Sequence, residues 1–71
     1  MTTGGPVAVV AVLINQRKAL GLTQTDIARL LSVTSSTVGH FELGRATPRL
    51  DTLERYAAVV GMQLAIVPAT P

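Results

Sequence analysis

The sequence predicts an all-α fold, a small domain of four to five helices followed by one short C-terminal β-strand. Apolar residues recur at three- and four-residue spacing through four segments, the period of a helix with one buried face. Those segments stop at Gly21, at the turn "SVT", at Gly44 and at Gly61, residues of the kind that end helices. Apolar residues make up 48% of the chain with only one Tyr and one Phe, so the core must come from Leu, Val, Ile and Ala, which suits packed helices.

The opening "MTTGG" (1–5) reads as a frayed, disordered terminus of small residues. Pro6 suits the first turn of a helix, where its missing N–H has no partner to lose, so the first helix is placed over 6–20. Val9 or Val10, Leu13, Arg17 and Leu20 share one of its faces. The run "VAVVAVLI" holds more apolar surface than that face can bury, which hints at an interface. Thr23 is a good N-cap, and Asp26 puts a carboxylate in the first turn of the second helix, where the macrodipole favours it. That helix, over 24–31, buries Ile27, Ala28 and Leu31.

Thr34 can cap a third helix over 35–43, with Val38 and Phe41 on one face. Its sequence, "TSSTVGHFELG", is a poor helix former: Ser and Thr compete for backbone hydrogen bonds, and mid-helix Gly costs about 1 kcal/mol relative to Ala. Packing must therefore hold it. Its outer face of Ser35, Ser36, Gly39 and His40 is small, polar and sterically open, which lets the backbone approach another surface closely. A fourth helix over 50–60 carries Asp51 and Glu54 in its first turn and turns Leu53, Tyr56, Ala57 and Val60 inward.

After Gly61 the period changes to two: Met62, Leu64 and Ile66 alternate with Gln63, Ala65 and Val67. The stretch 63–67 reads as a strand, and its simplest partner is the same strand of a second subunit. The chain thus divides into a disordered 1–5, a helical domain over 6–61 and a dimerisation strand and tail over 62–71, with Met62, Leu64 and Ile66 at the interface.

Composition narrows the function. Seventy-one residues make one small domain near the lower limit for a self-sufficient core, and a partner subunit would help. With no cysteine and one histidine there is neither a disulfide framework nor a metal-ligand cluster, and no cofactor motif is present. An enzyme is not expected, because no phosphate-cradling glycine loop and no carboxylate pair beside a basic group can be found. The net charge of +2 permits an anionic partner without demanding one. The apolar run at 7–14 is too short to span a bilayer and has no basic segment ahead of it, so neither a membrane nor a targeting signal is expected, and the location is expected to be cytoplasmic.

Two helices joined by a tight turn form a helix-turn-helix layout. The residues "GLTQTDIARLLSVTSSTVGHFELGR" (21–45) closely resemble the Xre/Cro/phage-repressor family of DNA-binding domains. That family's pattern of G-L-[ST]-Q, then Ala, a turn, Val or Ile ten residues after the Ala, and E-x-G-[KR] is matched by Gly21-Leu22-Thr23-Gln24, Ala28, Val38 and Glu42-Leu43-Gly44-Arg45. The resemblance runs over about 13–62, since "PRLDTLERYAAVVGM" also looks like the family's last helix.

The resemblance implies a sequence-specific regulator of transcription, expected to be a repressor, that binds double-stranded DNA at the nucleoid as a homodimer on a palindromic operator. The third helix becomes the recognition helix, with Ser35, Ser36 and His40 at base-contacting positions. Thr23, Gln24, Thr34, Arg45, Thr47 and Arg49 fall where such domains meet the DNA backbone. Gln24 in particular matches a glutamine that contacts phosphate and can brace the first recognition side chain, and Arg17 and Glu42 match a buried ion pair. Two departures stand out. Ser32 occupies a turn position where Gly is frequent and left-handed backbone is needed, a strain of order 1 kcal/mol. Ser35 replaces a frequent glutamine, and a short hydroxyl cannot make the bidentate contact to adenine, so readout must lean on other positions. The terminal apolar strand is similar to that of HipB-type antitoxins, which implies a second possibility: an antitoxin whose main role is to bind a toxin protein.

Overall fold

The computed structural model describes residues 5–69, with side chains from Ala8 onward. Four helices succeed one another: α1 (Gly5–Ala19), α2 (Gln24–Leu31), α3 (Ser35–Glu42) and α4 (Leu50–Val59). The expected disordered terminus lies outside the described residues, except Gly5, which already belongs to α1.

Local chemistry sets the helix boundaries. Thr23 Oγ1 accepts from the Asp26 amide at 3.0 Å while Asp26 Oδ2 accepts from the Thr23 amide at 2.8 Å, a reciprocal cap that satisfies two orphan donors at the start of α2. Thr34 caps α3 with the forward bond alone, its Oγ1 accepting from the Thr37 amide at 3.1 Å. All four helices end in one hydrogen-bond pattern, in which amides beyond the end return to carbonyls of the last turn: Leu22 to Arg17, Val33 to Ala28, Arg45 to His40 and Met62 to Ala57. Each needs a left-handed residue at the reversal. Glycine supplies it at three ends; Ser32, with φ 59° and ψ 42°, supplies it between α2 and α3.

The core is formed by Leu13 of α1, Ile27, Ala28 and Leu31 of α2, Val38 of α3, and Tyr56, Ala57 and Val60 at α4, all almost fully buried. The buried faces predicted for α2 and α4 are thus largely as expected, with Leu53 half-buried against the cluster. Leu20 differs: α1 ends at Ala19, the chain reverses at Gly21, and the Leu20 side chain is left 51% exposed rather than continuing the Val10–Leu13–Arg17 face.

The predicted strand over 63–67 is not formed. Among the described residues there are four helices and no strand, because Met62 is bound into the end of α4 and no extended segment is available to pair with residues 63–67. Met62, Leu64 and Ile66 also do not share one environment: Leu64 packs onto the core, Met62 is at the boundary of exposure and Ile66 is fully exposed. Leu64 instead joins Val9, Leu50, Leu53 and Ile66 in lining an open apolar groove between α1, α4 and the tail.

Candidate nucleic-acid interface

Glu42, at the C-terminal end of α3, is the point where all four helices meet through polar groups. Arg17 of α1 grips its carboxylate with two parallel hydrogen bonds, Nε to Oε2 and Nη2 to Oε1, each 2.9 Å. Gln24 of α2 donates from Nε2 to Oε1 at 3.0 Å, and the Tyr56 hydroxyl of α4 donates to Oε2 at 2.6 Å. The two charged side chains are only 10% and 5% exposed. Four donors on one carboxylate, with the remaining Arg17 Nη1 on the Leu22 carbonyl at 2.8 Å, satisfy the buried charge in the way a buried ion pair requires.

These bonds set the protonation states. Burial alone would push the Glu42 carboxyl up, but hydrogen bonds from Arg17, Tyr56 and Gln24 outweigh it and hold the group below the usual carboxylate range. Burial pushes the Tyr56 phenol up, and its bond to Glu42 adds to that, because both favour the neutral donor. Asp26 is held below its usual range by the Thr23 amide and hydroxyl.

This hub fixes α3 by its inner side and leaves its outer side open. Ser35, Ser36 and His40 lie on α3, and the side chains of Arg45 and Arg49 beyond it are exposed, so the polar face and the basic loop reach solvent together. The Arg45 amide bonds to the His40 carbonyl at 2.9 Å, so the start of the basic loop is tied to the end of α3. Thr23 and Thr34 accept through their hydroxyl oxygens as caps, which leaves the Thr23 O–H as a donor, while Thr34 Oγ1 also pairs with Thr37 Oγ1 at 2.9 Å. Arg49 stands at the N-cap of α4 beside Asp51, 3.3 Å away, with both side chains well exposed. Among the described residues no three His, Cys, Asp or Glu side chains are grouped to hold a metal ion.

An eight-residue helix reached through a three-residue turn from a preceding eight-residue helix, with its small polar face outward, is the arrangement that enters a DNA groove. A helix-turn-helix family profile matches residues 13–67. The chain belongs to the helix-turn-helix family. The resemblance to Xre/Cro-type domains read from the sequence is thereby borne out. This helix-turn-helix protein is 36% identical over 62 residues to an uncharacterized HTH-type transcriptional regulator of Haemophilus influenzae, covering 87% of this chain and 63% of that protein. It is 37% identical over 59 residues to the antitoxin HigA1 of Mycobacterium tuberculosis, covering 83% of this chain and 40% of the antitoxin. A chain from a toxin-antitoxin module of Streptococcus pneumoniae superposes with a TM-score of 0.73 at 31% identity, over 92% of this chain and 71% of that one. The protein therefore spans less than two thirds of the length of these curated relatives. Among the described residues no helix is long and apolar enough to cross a membrane.

Two contributors to the packing around α3 are not visible as such in the sequence. Tyr56 reads there as a core residue; the signal was the choice of Tyr over Phe on an apolar face, since a buried phenol needs a partner. Arg55, which donates to the Leu31 carbonyl at the end of α2 at 2.8 Å, is not singled out by the sequence and has no local signal.

Proposed function

We propose that this helix-turn-helix protein is a sequence-specific DNA-binding regulator, a repressor acting as a homodimer on a palindromic operator. The observation that carries the reading is the open outer face of α3, with Ser35, Ser36 and His40 on it while Glu42 anchors the same helix from within. In this reading those three side chains supply base discrimination. Thr23, Gln24, Thr34, Arg45, Thr47 and Arg49 set the register on the phosphates. Two copies would place their recognition helices about 34 Å apart, one helical turn of DNA. Met62, Leu64 and Ile66, with the apolar groove beside them, would lie between subunits.

A second reading is favoured by the relatives: an antitoxin that chiefly binds a toxin protein and regulates its own synthesis through DNA. The exposed Leu50, Ile66 and Val67 offer apolar surface for such a partner.

The deciding experiment is selection of binding sites from a random duplex library by the purified protein at fixed, near-physiological salt. Enrichment of a two-fold motif with half-sites about 10 bp apart supports the dimeric reader. Bulk, salt-sensitive binding with no enriched motif rejects it and leaves the antitoxin reading standing.

A further inference from the structure

Gly39 stands in the interior of α3, and nothing within the chain accounts for it. Glycine is the least favourable helix residue after proline, because it loses the most backbone freedom on folding and packs no side chain. Gly21, Gly44 and Gly61 take positive φ at helix ends, whereas Gly39 does not, so its backbone conformation is open to any residue. Nor does crowding require it. Apart from the helix's own backbone and the adjoining residues, the one atom within 4 Å of a Cβ built at Gly39 is Gln24 Oε1, at 3.6 Å, an ordinary van der Waals contact. Alanine would therefore fit, make a better helix and leave the packing intact.

What Gly39 does is keep a place empty. Val38 before it is fully buried and Glu42, three residues on, is held in the hub, so Gly39 lies on the flank of α3 between that inner side and the exposed Ser35, Ser36 and His40. Gln24 reaches the same flank from α2: its Nε2 gives one hydrogen to Glu42 Oε1 at 3.0 Å, and the second stays free to donate to a phosphate. We infer that Gly39 is a positioning residue for DNA reading. Its missing Cβ is clearance for the sugar–phosphate strand held at Gln24, and it lets α3 seat deeper in the major groove. The short side chains beside it make that depth necessary. A hydroxyl carried on Cβ reaches far less than a Gln or Arg head group, so the helix must come closer before Ser35 or Ser36 can bond to a base edge. The inference rests on the DNA-reading role proposed above.

The test compares the wild-type chain with Gly39→Ala, by thermal unfolding and by titration at fixed salt with two duplexes: the site selected by the wild-type chain and a random sequence. The expected result is a divergence between stability and binding. Tm rises by about 2–8 °C, since alanine is the better helix residue. Affinity for the selected site falls by about fivefold or more, the smallest loss typical of a mismatched base pair. Affinity for the random duplex, which rests on phosphate charge and not on the depth of α3, changes by less than about twofold. A smaller loss on the selected site shows that the space at Gly39 is not used, and the inference is overturned. A Tm that does not rise gives Gly39 a role inside the fold and overturns it as well. An equal loss on both duplexes does the same, because the methyl group then blocks DNA at large and not the seating of α3. A wild-type chain that enriches no motif rejects the DNA-reading role itself, and the inference with it.

Discussion

Tyr56 and Glu42 stand 14 residues apart in sequence and are joined by a 2.6 Å hydrogen bond from the phenol to the carboxylate, which ties the last helix to the end of α3. Tyr56 is 2% exposed, so water cannot replace the bond if it is lost. Tyr56→Phe is expected to destabilise the fold by about 1.5–3 kcal/mol, the range for a hydrogen bond to a charged group. Urea unfolding at neutral pH measures it, and a change under about 0.5 kcal/mol, that of an ordinary surface substitution, would refute a working bond.

Arg17 holds the same carboxylate from the other side. Arg17→Met leaves Glu42 a buried charge without its cation, at a cost of about 3–5 kcal/mol. Total stability for 71 residues is about 4–11 kcal/mol, so this variant should be near the edge of folding. Adding Glu42→Gln to Arg17→Met removes the uncompensated charge while keeping an acceptor for Tyr56. The double variant should therefore be at least about 1 kcal/mol more stable than additivity predicts. Strictly additive unfolding free energies would show that the two groups do not act as a pair.

The pH dependence has a defined sign on both sides. Glu42 titrates below its ordinary 4.5 in the fold, so the unfolded chain binds its proton more readily; the stabilisation is present above about pH 4.5 and is lost as pH falls through the folded value. Tyr56 titrates above its ordinary 10.0, so its contribution is present below about pH 10 and is lost as pH rises toward the folded value. Because the chain has one Tyr and no Trp, phenolate absorbance reports this site alone. The native phenol is expected to ionise well above pH 10, and a titration at the ordinary value would contradict the buried bond.

Ser32 adopts the left-handed conformation that the other three helix ends assign to glycine. Ser32→Gly removes a side-chain clash of about 1–2 kcal/mol and returns part of it as unfolded-chain entropy, for a net gain of about 0.5–1 kcal/mol. For a domain of this size that is a rise of about 2–8 °C in Tm by thermal unfolding. A lower Tm would mean that the hydroxyl does something the backbone geometry does not account for.

In the proposed DNA complex Arg45 contacts a phosphate from the loop tied to the end of α3. Arg45→Ala should then weaken all duplexes alike and make the dependence of log affinity on log salt shallower by about one unit. An unchanged slope would remove Arg45 from the interface.

The sequence by itself determined the four helices, their ends and the small polar face of α3. Caps, reversals and helical periodicity are local: Thr23 acts on Asp26 and Thr34 on Thr37, three residues away. Even the conformation at Ser32 could be anticipated, from the resemblance to a family in which Gly is frequent at that turn position. What only the tertiary structure decided depends on contacts between distant segments. The donors on Glu42 lie 25, 18 and 14 residues away, so neither the phenol of Tyr56 nor the amide of Gln24 shows its role in its own neighbourhood. The C-terminal segment shows the same division. Alternation in 62–67 marks residues able to line one face of a strand, but a strand exists only when another backbone accepts and donates its hydrogen bonds. Among the described residues that backbone is absent, and Leu64 turns instead to the core.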